Sequence, residues 1–215
     1  MKNLQYKVIL LRHAESEKNI KKIHGGQGEE LTESGILQAQ NAGKMIRSII
    51  SDEAVKLFVS NSIHTQYTAS HMSEILNIPV EKPIYFTPLN LGIADGLSEE
   101  ALMNIDFNSY LLFKQWRNRE IDIKDLKIPG MESYIDFWNR GLNLLANIKY
   151  SGHSIMVCSN SLMILLYHIM MNNHPVETNN YRHISIPNCG IICFKTNDYV
   201  DFYFDSITTT VDIPK

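Results

Sequence analysis

An arginine and a histidine stand side by side directly after an apolar run near the start of the chain. The run is Val8-Ile9-Leu10-Leu11, and Arg12 and His13 follow it. A short continuous apolar run is typical of a strand buried on both faces in a parallel sheet. Ligands of open α/β sheets bind beyond the carboxyl ends of the strands, so both side chains are expected to face a crevice. A fixed cation beside an imidazole suits an anionic substrate, with phosphate the obvious candidate, although a strand can also simply end in two polar residues.

The elements that must position this pair alternate between strands and helices. After the first strand, helices are predicted from 32 to 50, after a turn at 61–64 to about 76, at 98–103, at 132–148 and from 161 to 171. Strands are predicted at 55–60, around 84–86, at 154–159 and, as a pair, at 184–196 and 199–206. This alternation favours a mainly parallel sheet that is covered by helices on both faces.

Two further segments could contribute to a site. Residues 19–30 form a polar, glycine-rich loop, whose glycines would let backbone amides approach a ligand closely; a flexible lid is the alternative. Residues 104–129 carry aromatic side chains among charges, and they are predicted to form a helical insertion. That insertion either caps the site or packs on the core as a satellite cluster.

Composition bounds the class of protein. A chain of 215 residues with 44% apolar and 20% charged residues is expected to form one globular domain over residues 1–215. The net charge of −3 argues against a general nucleic-acid binder. No apolar run reaches the roughly 18 residues that a membrane span needs, so no membrane partner is expected. Because residues 1–7 lead directly into the first strand without a signal peptide, the cytoplasm is the expected location.

The three cysteines are expected to be reduced. Cys189 and Cys193 lie four apart in a predicted strand, a separation of about 13 Å and too long for a disulfide. Cys158 is interpreted as a core residue rather than a nucleophile. No histidine spacing resembles a zinc motif, so neither a metal nor a cofactor is expected. An edge strand near the C-terminus could pair across a homodimer.

Several short motifs follow one another in a characteristic order. They are Arg12-His13-Ala14-Glu15-Ser16, Asn19, Leu31-Thr32, Gly35, Gln38-Ala39, residues 60–69, 92–96 and 130–133, and the strand that ends at Ser159. In this order they resemble the histidine phosphatase superfamily, the phosphoglycerate-mutase-like group. The resemblance covers nearly the whole chain and implies a three-layer α/β/α sandwich.

The resemblance also implies a mechanism on a small phosphorylated or otherwise anionic ligand. His13 would attack phosphorus and form a phosphohistidine, while Arg12 would hold the phosphate oxygens. Asn19, Ser16 and the backbone of the following loop would bind the substrate. Water would then hydrolyse the phosphoenzyme.

Three positions depart from the pattern of that superfamily. His64 stands where the second arginine is usual, and Asn160 stands where the second histidine is usual. Pro88 falls at the place of the proton-donating glutamate; the nearest carboxylate is Asp95, which matches a different, substrate-contacting position. Losing one transition-state donor typically lowers the rate on the order of 100- to 1000-fold.

Three hypotheses therefore stay open. The first is a divergent phosphatase that hydrolyses a phosphomonoester of a small metabolite through His13. The second is a pseudophosphatase, a binding module whose pocket still takes an anion. The third is a pocket recruited for non-hydrolytic chemistry, with His13 as a base and Asn160 and His64 orienting the substrate.

Overall fold

The computed structural model describes residues 6–26, 28–50, 55–81, 86–148, 152–178, 180–196 and 202–208. The strands in these ranges are β1 (Tyr6–Arg12), β2 (Val55–Val59), β3 (His153–Cys158), β4 (Ile191–Thr196) and β5 (Phe202–Thr208). The helices are α1 (Glu17–Ile20), α2 (Glu33–Ile50), α3 (Ile63–Leu76), α4 (Glu99–Ile105), α5 (Phe107–Arg117), α6 (Tyr134–Ile148) and α7 (Asn160–Met170). Short 3₁₀ turns lie at Gly92–Ala94 and Ile123–Asp125.

The described strands form one mixed sheet in the order β2-β3-β1-β4-β5. β1 and β2 both pair in parallel with β3, whereas β4 is antiparallel to both β1 and β5. Four of these five strands therefore run in one direction, and the prediction of a mainly parallel sheet is confirmed. Arg12 pairs with Cys158 in the ladder, so the residues that follow β1 and β3 emerge next to each other.

Side chains of β1 alternate between two apolar layers, as the pleat of a strand requires. Val8 and Leu10 belong to a large buried cluster with residues of α4, α5, α6 and α7. Ile9 and Leu11 belong to a second cluster with residues of α2 and α3. The helices thus cover both faces of the sheet, and the predicted three-layer sandwich is confirmed.

The predicted strand at 184–196 is too long. β4 begins only at Ile191, and residues 184–190 form a loop along the edge of the sheet. Pro187 has no N–H to donate to a ladder, and Cys189 adopts a left-handed φ of 55° that interrupts extended backbone. Cys189 therefore precedes the strand in which it was expected to lie.

Two other predicted strands lie only partly within the described residues. Around 84–86, residues 84 and 85 lie outside the described part, and Phe86 is not in a strand. The strand predicted at 199–206 is β5, which pairs with β4 as expected; residues 199–201 lie outside the described part.

All three cysteines lie in the described part of the chain, and no disulfide joins them. Cys158 and Cys193 are buried, and Cys189 is half-buried. Burial raises the pKa of the Cys158 thiol, and it raises that of Cys189 to about 12. The Cys158 and Cys189 thiols are therefore protonated and poor nucleophiles at neutral pH.

The predicted insertion at 104–129 contains the end of α4, all of α5 and the second 3₁₀ turn. Asp106 caps α5 by accepting hydrogen bonds from the N–H groups of Asn108 and Ser109. Phe113 and Trp116 of α5 are buried in the larger apolar cluster. A capping role for this segment, like the single-domain organisation, stays a prediction.

Across the described ranges, none of the helices combines the length and the apolar character that crossing a bilayer requires.

Candidate active site

The backbone at the end of β1 is held from three sides. The Arg12 N–H donates to the Gly190 carbonyl, and the His13 N–H donates to the Cys158 carbonyl, each at 3.0 Å. The Asn188 side-chain amide donates to the His13 carbonyl, also at 3.0 Å. These bonds fix the direction in which the two side chains leave the sheet.

The His13 ring is buried, and its tautomer follows from one contact. Its Nδ1 lies 2.7 Å from the Ala14 carbonyl oxygen, which can only accept a hydrogen bond. Nδ1 therefore carries the proton, and Nε2 keeps its lone pair. Burial lowers the pKa of His13 well below 6.5, and the nearby His64 and Arg12 lower it further. At neutral pH the ring is a neutral nucleophile with a defined orientation.

Arg12 remains a cation beside this ring. Its Nη1 donates to the Ile186 carbonyl, whereas its buried Nε has no partner among the described residues. Burial and the positive charge of Arg117 lower the pKa of Arg12 to about 10, which leaves it charged at neutral pH. The unpartnered Nε–H is available for an anion bound next to His13.

His64 lies in the first turn of α3, with its ring centroid 3.9 Å from that of His13. Its Nε2 lies 3.4 Å from the Ser62 hydroxyl, and its buried Nδ1 has no partner among the described residues. A Cβ on Gly28 would lie 1.9 Å from that Nδ1, so the glycine backbone covers it. Burial, Lys18 and Arg12 lower the pKa of His64 to about 3. His64 therefore lines the site as a neutral ring and supplies no positive charge to a bound phosphate.

Asn160 is the first residue of α7. The hydroxyl of Ser159 caps this helix by accepting the Leu162 N–H at 3.4 Å. Ser159, Asn160 and Ser161 all line the cavity, so the N-terminus of the helix faces it. The N–H groups of a first turn lack partners within the helix, and together with the helix dipole they favour a bound anion.

Asn19 is oriented by its side-chain oxygen. That oxygen accepts from the Ser16 N–H at 3.0 Å, the Ser16 hydroxyl at 3.1 Å and the Asn188 amide at 3.1 Å. These bonds place the Asn19 NH₂ group as the remaining donor for a ligand. Ser16 uses its hydroxyl proton on Asn19 and so contributes by positioning.

Asp95 lies apart from the other predicted residues. It is exposed and does not line the cavity; its Oδ2 accepts the Gly26 N–H at 3.0 Å. It therefore ties down the glycine-rich loop. The remaining predicted positions surround one cavity of about 880 Å³: Arg12, His13, Ser16, Asn19, His64, Pro88 and Asn160.

One wall of this cavity carries residues that the sequence analysis did not name as site residues. α5 contributes Phe113, Trp116 and Arg117, and the loop before β4 contributes His183 and Asn188. Only the aromatic spacing of 104–129 pointed to α5, and nothing local marked the loop residues.

Two further histidines that line the cavity, His24 of the glycine-rich loop and His183 of the loop before β4, are neutral at neutral pH. Burial and the charge of Arg117 lower the pKa of His24 and of His183 to about 4. The His183 ring meets the indole of Trp116 edge-on at 4.9 Å, and the indole N–H is buried without a described partner. Lys18 also lines the cavity, and burial lowers its pKa. The Trp116 and His183 rings can therefore contact a flat group of a ligand, and the indole N–H can donate a hydrogen bond to a polar one.

The described residues contain no group of three or more His, Cys, Asp or Glu side chains that could hold a metal ion. The site is built instead from imidazole, guanidinium, amide groups and a helix N-terminus. This donor set is suited to a phosphate or a similar oxyanion.

Fold and cavity together define an α/β sandwich protein that holds a neutral, oriented histidine beside a half-buried arginine. The profile of the histidine phosphatase superfamily (branch 1) matches residues 8–202, and the chain belongs to that superfamily.

Relatives with curated descriptions are distant. A probable phosphatase of Schizosaccharomyces pombe is 26% identical over 167 residues, which are 74% of this chain and 54% of the relative. A 2,3-bisphosphoglycerate-dependent phosphoglycerate mutase of Bradyrhizobium diazoefficiens is 25% identical over 142 residues, which are 63% of this chain and 64% of the relative. The matched part therefore spans less than two thirds of either relative.

Solved structures share the fold over nearly their whole length. A mycobacterial glucosyl-3-phosphoglycerate phosphatase superposes with a TM-score of 0.75 at 19% identity, covering 94% of this chain and 97% of that one. A phosphoserine phosphatase of Entamoeba histolytica superposes with a TM-score of 0.73 at 20% identity, covering 95% and 98%.

Proposed function

We propose that this protein hydrolyses the phosphomonoester of a small metabolite through a phosphohistidine at His13. The observation that carries the proposal is the His13 tautomer: Nδ1 donates to the Ala14 carbonyl, and Nε2 keeps its lone pair. Phosphatases among the relatives and the structural neighbours support the same class of reaction.

In this reaction the phosphoryl group lies between His13, Arg12 and the N-terminus of α7. Nε2 attacks phosphorus as the bond to the leaving oxygen breaks. The Arg12 guanidinium, the Asn19 amide and the first turn of α7 stabilise the negative charge on the transferring group. A water molecule then attacks phosphorus, and the electron pair of the N–P bond returns to Nε2.

Cavity size and lining favour a small substrate with polar groups. About 880 Å³ is enough for a metabolite of ordinary size, and the α5 wall offers the Trp116 indole and the Arg117 guanidinium, which is paired with Glu99. The substrates named for the neighbouring structures are also small phosphorylated molecules, which supports this class without identifying the substrate.

The test is turnover of p-nitrophenyl phosphate by the protein and by His13→Ala. We expect the substitution to remove at least about 1000-fold of the activity, because it removes the nucleophile. His71→Ala is the matched control, since His71 lies on α3 but does not line the cavity. Equal, background-level turnover in all three proteins would exclude phosphatase chemistry.

A binding module is the second candidate, and the state of His64 favours it. The ring is neutral and covered by Gly28, so the site lacks one cationic phosphate clamp. Thermal-shift titration with inorganic phosphate and vanadate separates the two candidates. Stabilisation without any His13-dependent turnover would support binding alone.

A further inference from the structure

Carboxylic acids are poorly placed to donate a proton in this cavity. Among the described residues that line it, the carboxylates are Glu99 and Glu100. Glu99 accepts a hydrogen bond from Arg117 Nη1 and lies 3.7 Å from His24 Nε2. The Glu99 carboxylate is thus engaged as a hydrogen-bond acceptor, and Glu100 is exposed to solvent. Pro88, which also lines the cavity, has no acidic hydrogen.

The imidazoles of the cavity are also unable to serve as acids near neutral pH. Those that line it are His13, His24, His64 and His183. Burial and neighbouring cations lower the pKa of each below the ordinary value of 6.5. A neutral imidazole N–H is far too weak an acid to protonate a departing oxygen.

What remains is fixed positive charge. Arg12, Arg117 and Lys18 line the cavity, and the first two are guanidinium groups, which do not give up protons in proteins. A Cβ on Gly26 would lie 3.7 Å from Lys18 Nζ, which places the ammonium against the glycine-rich loop. The two guanidinium groups can stabilise a departing anion but do not protonate it, which leaves Lys18 as the one cation of these three whose role as a proton donor has to be tested.

We propose that the phosphatase site inferred above is selective for substrates whose leaving group departs as a stable anion: among phosphomonoesters the aryl and enol phosphates, and beyond the monoesters the acyl phosphates and phosphoanhydrides. This selectivity rests on the proposed function of the same site. The P–O bond breaks as the Nε2–P bond forms, and its electron pair stays on the leaving oxygen. A carboxylate, phosphate, phenolate or enolate can leave in that form, whereas an alkoxide needs a proton in the same step.

The first test compares kcat/KM for a series of aryl phosphates whose phenols differ in acidity, with ethyl phosphate as the alkyl member. We expect log kcat/KM to fall steeply as the phenol becomes less acidic. Ethyl phosphate should be slower than the fastest aryl phosphate by at least about 100-fold, the usual contribution of a missing general acid. A profile that is independent of leaving-group acidity would overturn the proposal.

A second test supplies the missing proton at position 88. Pro88→Glu should raise kcat/KM for ethyl phosphate about 100-fold and change that for p-nitrophenyl phosphate by less than about 3-fold. Pro88→Gln is the matched control, because it has the same shape without an acidic proton and should produce no such gain. An equal gain in both variants would contradict the proposal, since it would trace the effect to the removal of proline.

The outcomes separate this proposal from the proposed function. His13-dependent turnover with a flat profile would retain the phosphatase and overturn the selectivity. If Lys18→Met then made a flat profile steep, Lys18 would be the proton donor. Absence of His13-dependent turnover on p-nitrophenyl phosphate would overturn the proposed function itself, and the selectivity with it.

Discussion

At the scale of single residues, the site depends on keeping two adjacent imidazoles neutral. The His13 and His64 rings are both about 4% exposed and lie 3.9 Å apart between centroids. Protonating either ring would place an uncompensated charge in a buried position beside Arg12. The arrangement that keeps both rings neutral, and leaves the His13 Nε2 lone pair available, therefore makes the folded protein sensitive to acid.

This sensitivity can be measured at His64. Its pKa is about 3 in the folded protein against 6.5 for the ordinary side chain, so the unfolded chain binds a proton that the folded chain does not. Stability is therefore complete above pH 6.5 and falls as the pH drops towards 3, by roughly 2 kcal/mol between pH 7 and pH 5 for one such group. Denaturant unfolding at both pH values should show a smaller loss for His64→Gln than for the unchanged protein.

The control for this measurement is His71→Gln, on the same helix but outside the cavity lining. We expect that variant to keep the full pH dependence. Identical losses in the unchanged protein and in His64→Gln would contradict a neutral, buried His64.

Gly28 provides the second prediction at this scale. Its φ is 91°, and an added Cβ would lie 1.9 Å from His64 Nδ1. Gly28→Ala should therefore displace the loop or the ring and lower kcat/KM for p-nitrophenyl phosphate by at least about 10-fold, since misplacements near 1 Å are costly to catalysis.

Gly96→Ala is the matched control, because Gly96 also has a left-handed φ of 78° but nothing lies within 4 Å of its added Cβ. We expect it to lose roughly 1 kcal/mol of stability and to keep its activity. Equal losses of activity in the two variants would show that backbone strain alone explains the effect.

At the scale of elements, the contribution of the N-terminus of α7 can be tested by removing its capping hydroxyl. Ser159→Ala removes the acceptor of the Leu162 N–H, which should cost about 1 kcal/mol of stability. Because that terminus faces the cavity, the affinity for vanadate should also fall, by roughly 3- to 10-fold for the 1 kcal/mol scale of such contacts. Isothermal titration measures the affinity, and denaturant unfolding measures the stability.

Asp106→Ala is the control, since Asp106 caps α5 and does not line the cavity. It should lose similar stability without any change in vanadate affinity. A parallel loss of affinity in both variants would mean that α7 acts only through overall stability.

Most elements could be predicted because their signals are local. α3 ends at Leu76, where Asn77 takes a left-handed φ of 55° and Pro79 follows, as the sequence indicated. The alternation of Val8 to Leu11 between two apolar layers likewise confirms the buried first strand. The end of β1 and the start of α7 could then be placed at one edge, because parallel strands share that edge.

The sequence-based predictions fail where contacts between residues distant in sequence determine the structure. The strand predicted at 184–196 starts late, because a proline and a left-handed cysteine interrupt it. Asp95 was expected at the substrate, but its carboxylate accepts the Gly26 N–H from a loop nearly seventy residues away in sequence. The insertion that contains α5 was predicted, with capping of the site as one alternative, but Arg117 was not named as a site residue, since it reaches the cavity only through the packing of its helix on the core.

At the scale of the whole molecule, the charge of the cavity opposes that of the protein. The chain carries a net charge of −3, yet the cavity is lined by the cations Arg12, Lys18, Lys21, Lys22 and Arg117 against the anions Glu99 and Glu100. A concave surface of one sign concentrates substrates of the other sign and raises their rate of association. Exposed charges of this kind are screened within about 10 Å at 0.1 M salt.

Substrate capture should therefore depend on salt more than the net charge suggests. We expect kcat/KM for p-nitrophenyl phosphate to fall as ionic strength rises, and the slope to be smaller in Lys22→Gln, which removes an exposed cation of the cavity rim. Lys44→Gln removes an exposed cation of α2 that does not line the cavity, and it should leave the slope unchanged. Because both variants change the net charge equally, equal slopes would mean that the local field has no part in capture. A smaller slope in Lys22→Gln alone would instead assign the capture of phosphate to the rim of the cavity, on a protein whose overall charge repels it.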